Sequence, residues 1–154
     1  MNSKNILEFL AKETKKLLVL LDQPSTVKIG QEKEVFKIHL QTDQPGVLIG
    51  FKGKTLNALQ TVLGLAVLKR FGPEIKILVD VNDYRQTQEE KLKNLALEAA
   101  ARAKSEKKSI ALPPMSAFER RLIHLFLAAD PEIETVSEDK GNQRHVIVKL
   151  KNQI

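Results

Sequence analysis

Gly50-Phe51-Lys52-Gly53 joins Pro45-Gly46-Val47-Leu48-Ile49, a short apolar segment, to Thr55-Leu56-Asn57-Ala58-Leu59-Gln60, the opening of a helix. A Gly-x-x-Gly turn between two helices lets backbone approach a phosphate chain closely. Glycine has no Cβ to obstruct that approach and tolerates positive φ. The helix that follows directs its free N–H groups and the positive end of its dipole at the same place. Lys52 and Lys54 add charge there. Phe51 is an unusual residue for a solvent-facing tip. It suits stacking on a base, and equally suits packing on the adjacent helix or on a partner chain.

Hydrophobic periodicity on either side gives the setting of the turn. Ile6, Leu10, Leu17 and Leu21 repeat at helical spacing from Ser3 to Leu21, and Asp22-Gln23-Pro24 stops that helix. Thr26–Gly30 and Glu34–Gln41 read as strands, with Phe36, Ile38 and Leu40 forming the buried face of the second. After the turn, Leu56, Leu59, Leu63, Ala66 and Val67 continue a helix that ends at Phe71-Gly72-Pro73. Ile75–Val81 is a third strand. The predicted order is helix, strand, strand, short helix, turn, helix, strand. That is the order of a type II KH domain, whose Gly-x-x-Gly clamp holds about four nucleotides of single strand.

A second unit is predicted from Asp83, so the expected division is 1–82 and 83–154, both α+β. Asp83 and Gln86 are spaced as a capping box for a helix to about Lys104, with Leu92, Leu95, Ala96, Ala99, Ala100 and Ala103 on its apolar face. Ile110-Ala111-Leu112 reads as a short strand before Pro113-Pro114. Ser116 and Glu119 have capping-box spacing for a helix over Ala117–Ala129. Ile133–Ser137 and Arg144–Leu150 read as a hairpin.

The 154 residues carry a net charge of +6, and both halves hold more Lys+Arg than Asp+Glu, which favours a polyanionic partner. With no cysteine, disulfides and thiolate metal sites are excluded, and a reducing compartment fits. Leu17-Leu18-Val19-Leu20-Leu21 is too short for a signal-peptide core or a membrane span, so no membrane insertion is expected. His39 and His145 lie on predicted strands with no carboxylate at ligand spacing, so no metal or cofactor is expected. Gly53-Lys54-Thr55 resembles the end of a P-loop, but the first glycine that motif requires is replaced by Leu48. No Ser-His-Asp set or carboxylate pair is evident, and the chain is read as a binding protein and not an enzyme.

Arg120 and His124 lie four apart on one helical face, with Arg121 beside them. Spacing alone fits a surface arginine and a half-buried histidine as well as a phosphate contact. Lys104, Lys107 and Lys108 read as a solvated helix end. However, three segments occur together in order: Gly50–Gly53 with its helices, Asp80-Val81-Asn82-Asp83-Tyr84-Arg85, and Leu112-Pro113-Pro114-Met115-Ser116-Ala117-Phe118-Glu119-Arg120-Arg121-Leu122-Ile123-His124. Together they resemble the Jag (SpoIIIJ-associated) family of bacterial proteins, which join a KH domain to an R-three-H (Arg-x-x-x-His) domain. The resemblance runs from about residue 5 to residue 150.

The resemblance implies a cytoplasmic protein that binds single-stranded RNA, linked to cell-envelope growth and to regulation of RNA. It also implies partnering with a small KH protein or with a second copy, and single-stranded DNA is a competing ligand to consider. Many members carry a further N-terminal Jag domain and linker, which this sequence is read as lacking. Phe51 departs from the basic residue often found at its position. The expected contacts are Gly50, Phe51, Lys52, Gly53 and Lys54 on phosphates and base. A groove beside Ile49 and Leu56, walled by strand 75–81, takes bases. Arg120, Arg121 and His124 supply a second contact. The alternative is a protein-interaction module, dimerising or docking on a ribonucleoprotein, with weak RNA binding.

Overall fold

The computed structural model describes residues 2–152. The chain divides into two compact units, Met1–Arg85 and Gln86–Ile154. In the first, α1 (Ser3–Leu20) is opened by Asn2, whose side chain accepts from Lys4 N at 3.0 Å. Its buried stripe is Ile6, Leu10, Thr14 and Leu18 rather than the expected Leu17 and Leu21. Buried positions four apart advance slowly around a helix of 3.6 residues per turn, so the core-facing line reaches Leu18. Leu21 forms the C-cap and is exposed. The hydroxyl of Thr14, on the same stripe, is buried without a hydrogen-bond partner.

Strand β1 (Thr26–Glu32) runs two residues past the predicted Gly30 and turns through Lys33 and Glu34 into antiparallel β2 (Val35–Gln41). Phe36, Ile38 and Leu40 are buried, as their alternation predicts. Helix α2 (Pro45–Ile49), a 3-10 turn over Phe51–Gly53 and α3 (Lys54–Phe71) form the crossover to β3 (Lys76–Val81). Strand β3 pairs parallel with β2, placing Ile38 opposite Val79 and His39 opposite Asp80. Helix α3 buries Leu56, Leu59, Leu63 and Val67 on the sheet and stops at Gly72, whose φ is 94°.

Because the sheet order is β1-β2-β3, β3 is an edge strand. Side chains occupy that edge. Gln60 Oε1 accepts from Val79 N at 3.0 Å, Arg85 Nε donates to Val79 O at 3.0 Å, and Asp80 Oδ1 accepts from Val81 N at 2.9 Å. Arg85 also donates to Gln60 Oε1 at 3.0 Å, tying these groups together. Peptide groups that would otherwise seek another strand are thereby satisfied.

Helix α4 (Tyr84–Glu106) carries the chain into the second unit. The start of this helix, where Asp83 and Gln86 have capping-box spacing, departs from the usual N-cap backbone. Gln86 donates forward to Glu90 at 3.1 Å, and Asp83 has a φ of 56° instead of the extended backbone of an N-cap. Ala96, Ala99, Ala100 and Ala103 are buried on β4 (Ile110–Ala111), α5 (Ala117–Leu127), β5 (Ile133–Glu138) and β6 (His145–Leu150). These strands form an antiparallel sheet of order β4-β6-β5. The Ser116–Glu119 capping box is present in both directions. Lys104 bridges Glu132 at 2.8 Å and Asp130 at 3.0 Å, and these bonds raise its pKa.

Candidate nucleic-acid interface

The Gly-x-x-Gly turn is held in backbone that few residues adopt. Gly50 has φ 71° and ψ −177°, a combination essentially confined to glycine. Lys52 (φ 51°, ψ 33°) and Gly53 (φ 77°, ψ 11°) are both left-handed. Glycine is required at both ends for space as well as torsion. A Cβ on Gly50 would overlap the Thr55 hydroxyl and lie 2.7 Å from Thr55 Cβ. One on Gly53 would stand 3.1 Å from Tyr84 Cε1. The turn is closed by Gly50 N donating to Gly46 O at 2.9 Å and Gly53 N to Gly50 O at 3.3 Å. No side chain caps α3, and its first turn holds no acidic residue. Its N-terminal field therefore faces the turn unopposed.

Phe51 is 71% exposed, which decides against packing on the neighbouring helix. The ammonium groups of Lys52 and Lys54 lie 5.5 and 5.7 Å from its ring centroid, within cation–π range. The tip therefore presents an aromatic face and two cations together. Ile49 is half-buried against the core. Leu56 is 1% exposed and lies beneath the turn, so it supports the clamp and offers no surface to a base. Its place in the groove is a correction, because the third residue of α3 faces the sheet. Val79 and Val81 are likewise fully buried and present no wall to a ligand.

Tyr84 and Thr55 were not singled out as site residues, yet they are what the two clamp glycines touch. The only signal was the place of Tyr84 within Asp80–Arg85. The tyrosine is partly buried against the first core and is the only one in the chain.

On α5, Arg120 Nη1 donates to Met115 O at 2.7 Å, fixing the loop before the helix, and the residue is half-buried. His124 is held at both ring nitrogens: Nδ1 is 2.6 Å from Thr135 Oγ1 and Nε2 is 2.9 Å from Ser137 Oγ. Burial first, and the Arg120 charge second, depress its pKa. A free imidazole hydrogen bond to phosphate, as expected from spacing, is therefore not on offer, because both nitrogens pin α5 to β5. Arg121 is exposed. The face offers the remaining guanidinium nitrogens of Arg120 and the whole of Arg121.

The parallel register also corrects the reading of His39. Ligand atoms of His39, Asp80 and Asp83 lie within 4.8 Å of one another. Asp80 Oδ1 already accepts from Val81 N and Arg85 N at the start of α4, where a cation would meet positively polarised N–H groups. His145 is 3.4 Å from Asp139, a pairing made by the β5–β6 turn. Among the described residues no helix is long and apolar enough to cross a membrane.

Comparison with known proteins gives two domain matches. Residues 8–81 match the KH domain of KhpA/KhpB and residues 90–150 match the R-three-H domain. The chain is 35% identical over 128 residues to an RNA-binding protein KhpB of Clostridium symbiosum, covering 83% of this chain and 58% of that one. It is 36% identical over 129 residues to the RNA-binding protein KhpB of Bacillus subtilis, covering 82% and 62%. With that of Lactiplantibacillus plantarum it shares 34% over 114 residues, covering 74% and 35%. It thus spans about three fifths of the length of the first two relatives.

Proposed function

Because the chain belongs to the Jag family, which joins a KhpA/KhpB-type KH domain to an R-three-H domain, we propose that it is a single-stranded RNA-binding protein and not an enzyme. The clamp takes the sugar-phosphate backbone on the N–H groups of the 50–53 turn and on Lys52 and Lys54, and Phe51 stacks on a base. The carrying observation is the exposed Phe51 ring flanked by two ammonium groups on a turn with three residues at positive φ. Arg120 and Arg121 supply the second contact, with His124 setting the face on which they stand. Phosphate contacts and base stacking are common to RNA and DNA, so single-stranded DNA is expected to compete. A cytoplasmic location and a link to cell-envelope growth rest on the family resemblance alone.

Fluorescence anisotropy with a labelled single-stranded RNA pool tests this reading. Phe51→Asp with Lys52→Asp should abolish binding at low salt, and the native affinity should fall steeply with salt. Equal binding by both proteins would remove RNA from the clamp.

One observation favours a second reading, an interaction module. Val62, Leu65 and Leu68 are 49%, 58% and 46% exposed and form a stripe on α3 opposite its buried face. Such a stripe suits a small KH partner or a second copy. Light scattering that shows a dimer in the native chain and a monomer in Leu65→Asp supports this reading. A native monomer that binds no small KH protein removes it.

A further inference from the structure

We infer that the groove between the outer face of α1 and the end of α3 is a second nucleotide site, separate from the clamp, that takes a flat base and its phosphate. The groove encloses about 530 Å³, a size suited to a small ligand. Its floor is aromatic: the rings of Phe9 and Phe71 meet edge to face, with centroids 5.2 Å apart. The Arg70 guanidinium lies over both, 5.4 and 5.9 Å from their centroids. Arg70 is itself exposed and sits in no ion pair of the described residues. A guanidinium held beside two rings is a surface on which a nucleic-acid base can stack.

Charge completes the match. Lys12, Lys16 and Arg70 line the groove with Glu8 and Glu13. Glu13 is neutralised by Lys16 at 2.8 Å, so Lys12 and Arg70 outweigh Glu8 and leave the groove positive. Lys12 makes no ion pair among the described residues and is placed to take a phosphate. Glu8, at the rim, suits an exocyclic amino group of adenine or cytosine. The whole length of α3 separates this groove from the clamp. Lys54 to Phe71 spans roughly 25 Å at the helical rise per residue, so a single nucleotide cannot touch both. The inference therefore stands apart from the clamp reading.

The test uses the full chain and AMP, titrated to about 10 mM so that a ligand with a Kd of roughly 1 mM saturates. The ring resonances of Phe9 and Phe71 are followed by NMR. Both should shift. Arg70→Ser should weaken AMP binding at least about fivefold, the low end of stacking losses, and Lys12→Glu should weaken it too by setting a negative charge against the phosphate. Lys12 is on the solvent side of α1, so its variant keeps the fold even if Arg70→Ser does not. Phe51→Asp with Lys52→Asp should leave AMP binding unchanged. A parallel titration with an oligoadenylate longer than the roughly four nucleotides a clamp holds separates the sources. Shifts with AMP alone assign a free nucleotide. Shifts only with the oligomer, lost in the clamp variant, assign a nucleotide of a bound strand. Silent rings in both titrations, or shifts indifferent to Lys12→Glu and Arg70→Ser, overturn the groove. Silent rings with oligomer binding that depends on Phe51 and Lys52 overturn the groove and leave the clamp standing.

Discussion

Replacing Gly50 by alanine tests the clamp where torsion and space act together. At φ 71° and ψ −177° any side chain costs about 1–3 kcal/mol in backbone energy. The new methyl would also lie 2.7 Å from Thr55 Cβ and 2.9 Å from Thr55 N, inside contact distance of the first turn of α3. Forced overpacking of this kind costs about 1–3 kcal/mol. The combined loss is about 2–6 kcal/mol, unless the turn abandons its conformation and the clamp with it. Tyr84, the only tyrosine and a neighbour of Gly53, supplies a probe confined to the first unit. Its fluorescence through a urea titration should show the midpoint of Gly50→Ala lowered by about 0.7 M or more, given slopes of about 1–3 kcal/mol per M. Thr55→Gly in the same chain removes the Cβ collision and should restore about 1–2 kcal/mol, while the torsional cost persists. A Gly50→Ala chain that unfolds within about 0.5 kcal/mol of native and keeps full RNA affinity would refute both the strain and the crowding.

Three further outcomes follow from the geometry. Gly53→Ala should be milder, near 1–2 kcal/mol, because its φ of 77° is ordinary left-handed backbone and the nearest atoms to its new methyl, those of the Tyr84 ring, stand no closer than 3.1 Å. The near-UV signal of Tyr84 should change all the same. Arg85→Ala should cost about 1.5–3 kcal/mol in the same urea assay, since it frees the Val79 carbonyl and one partner of Gln60 at part-buried positions. A change below about 0.5 kcal/mol would mean that the β3 edge does not need Arg85. His124 is depressed below its ordinary 6.5 in the fold, so the unfolded chain binds its proton first. The stability His124 contributes is therefore complete above pH 6.5 and drains as pH falls toward the lower folded value. Amide hydrogen exchange in β5 and β6 should quicken between pH 7.5 and pH 5.5, after correction for intrinsic rates, and His124→Asn should flatten that dependence.

Much of the molecule was legible because its signals are local. The element order of the first unit, the strand alternation of Phe36, Ile38 and Leu40, and the Ser116–Glu119 cap all depend on residues a few positions apart. What was missed depends on contacts between distant segments. His124 meets Thr135 and Ser137 only because the β5–β6 hairpin folds back on α5. His39 meets Asp80 only through a parallel crossover. Gln60 and Arg85 lie 25 positions apart and meet at a strand edge. Leu56 was misplaced for a simpler reason. Its hydrophobicity is equally consistent with lining a groove and with plugging the core below it, and only the phase of α3 separates the two. The exposure of Phe51 had the same ambiguity, resolved the other way.

The sealed edge of β3 has a consequence for the order in which the protein is made. Domains fold as they leave the ribosome, the N-terminal one first. The last strand of the first unit ends at Val81, but the groups that close it belong partly to Arg85, already on the first turn of the next helix. A nascent chain that has just released Val81 has Gln60 and Asp80 in place but leaves the Val79 carbonyl unsatisfied, open to pairing with a neighbouring nascent chain on the same message. The hazard lasts for only four more residues of translation. A stall that holds the chain with Val81 clear of the exit tunnel and Arg85 still inside should lengthen it and lower the yield of soluble protein, while a stall after Arg85 has cleared should not.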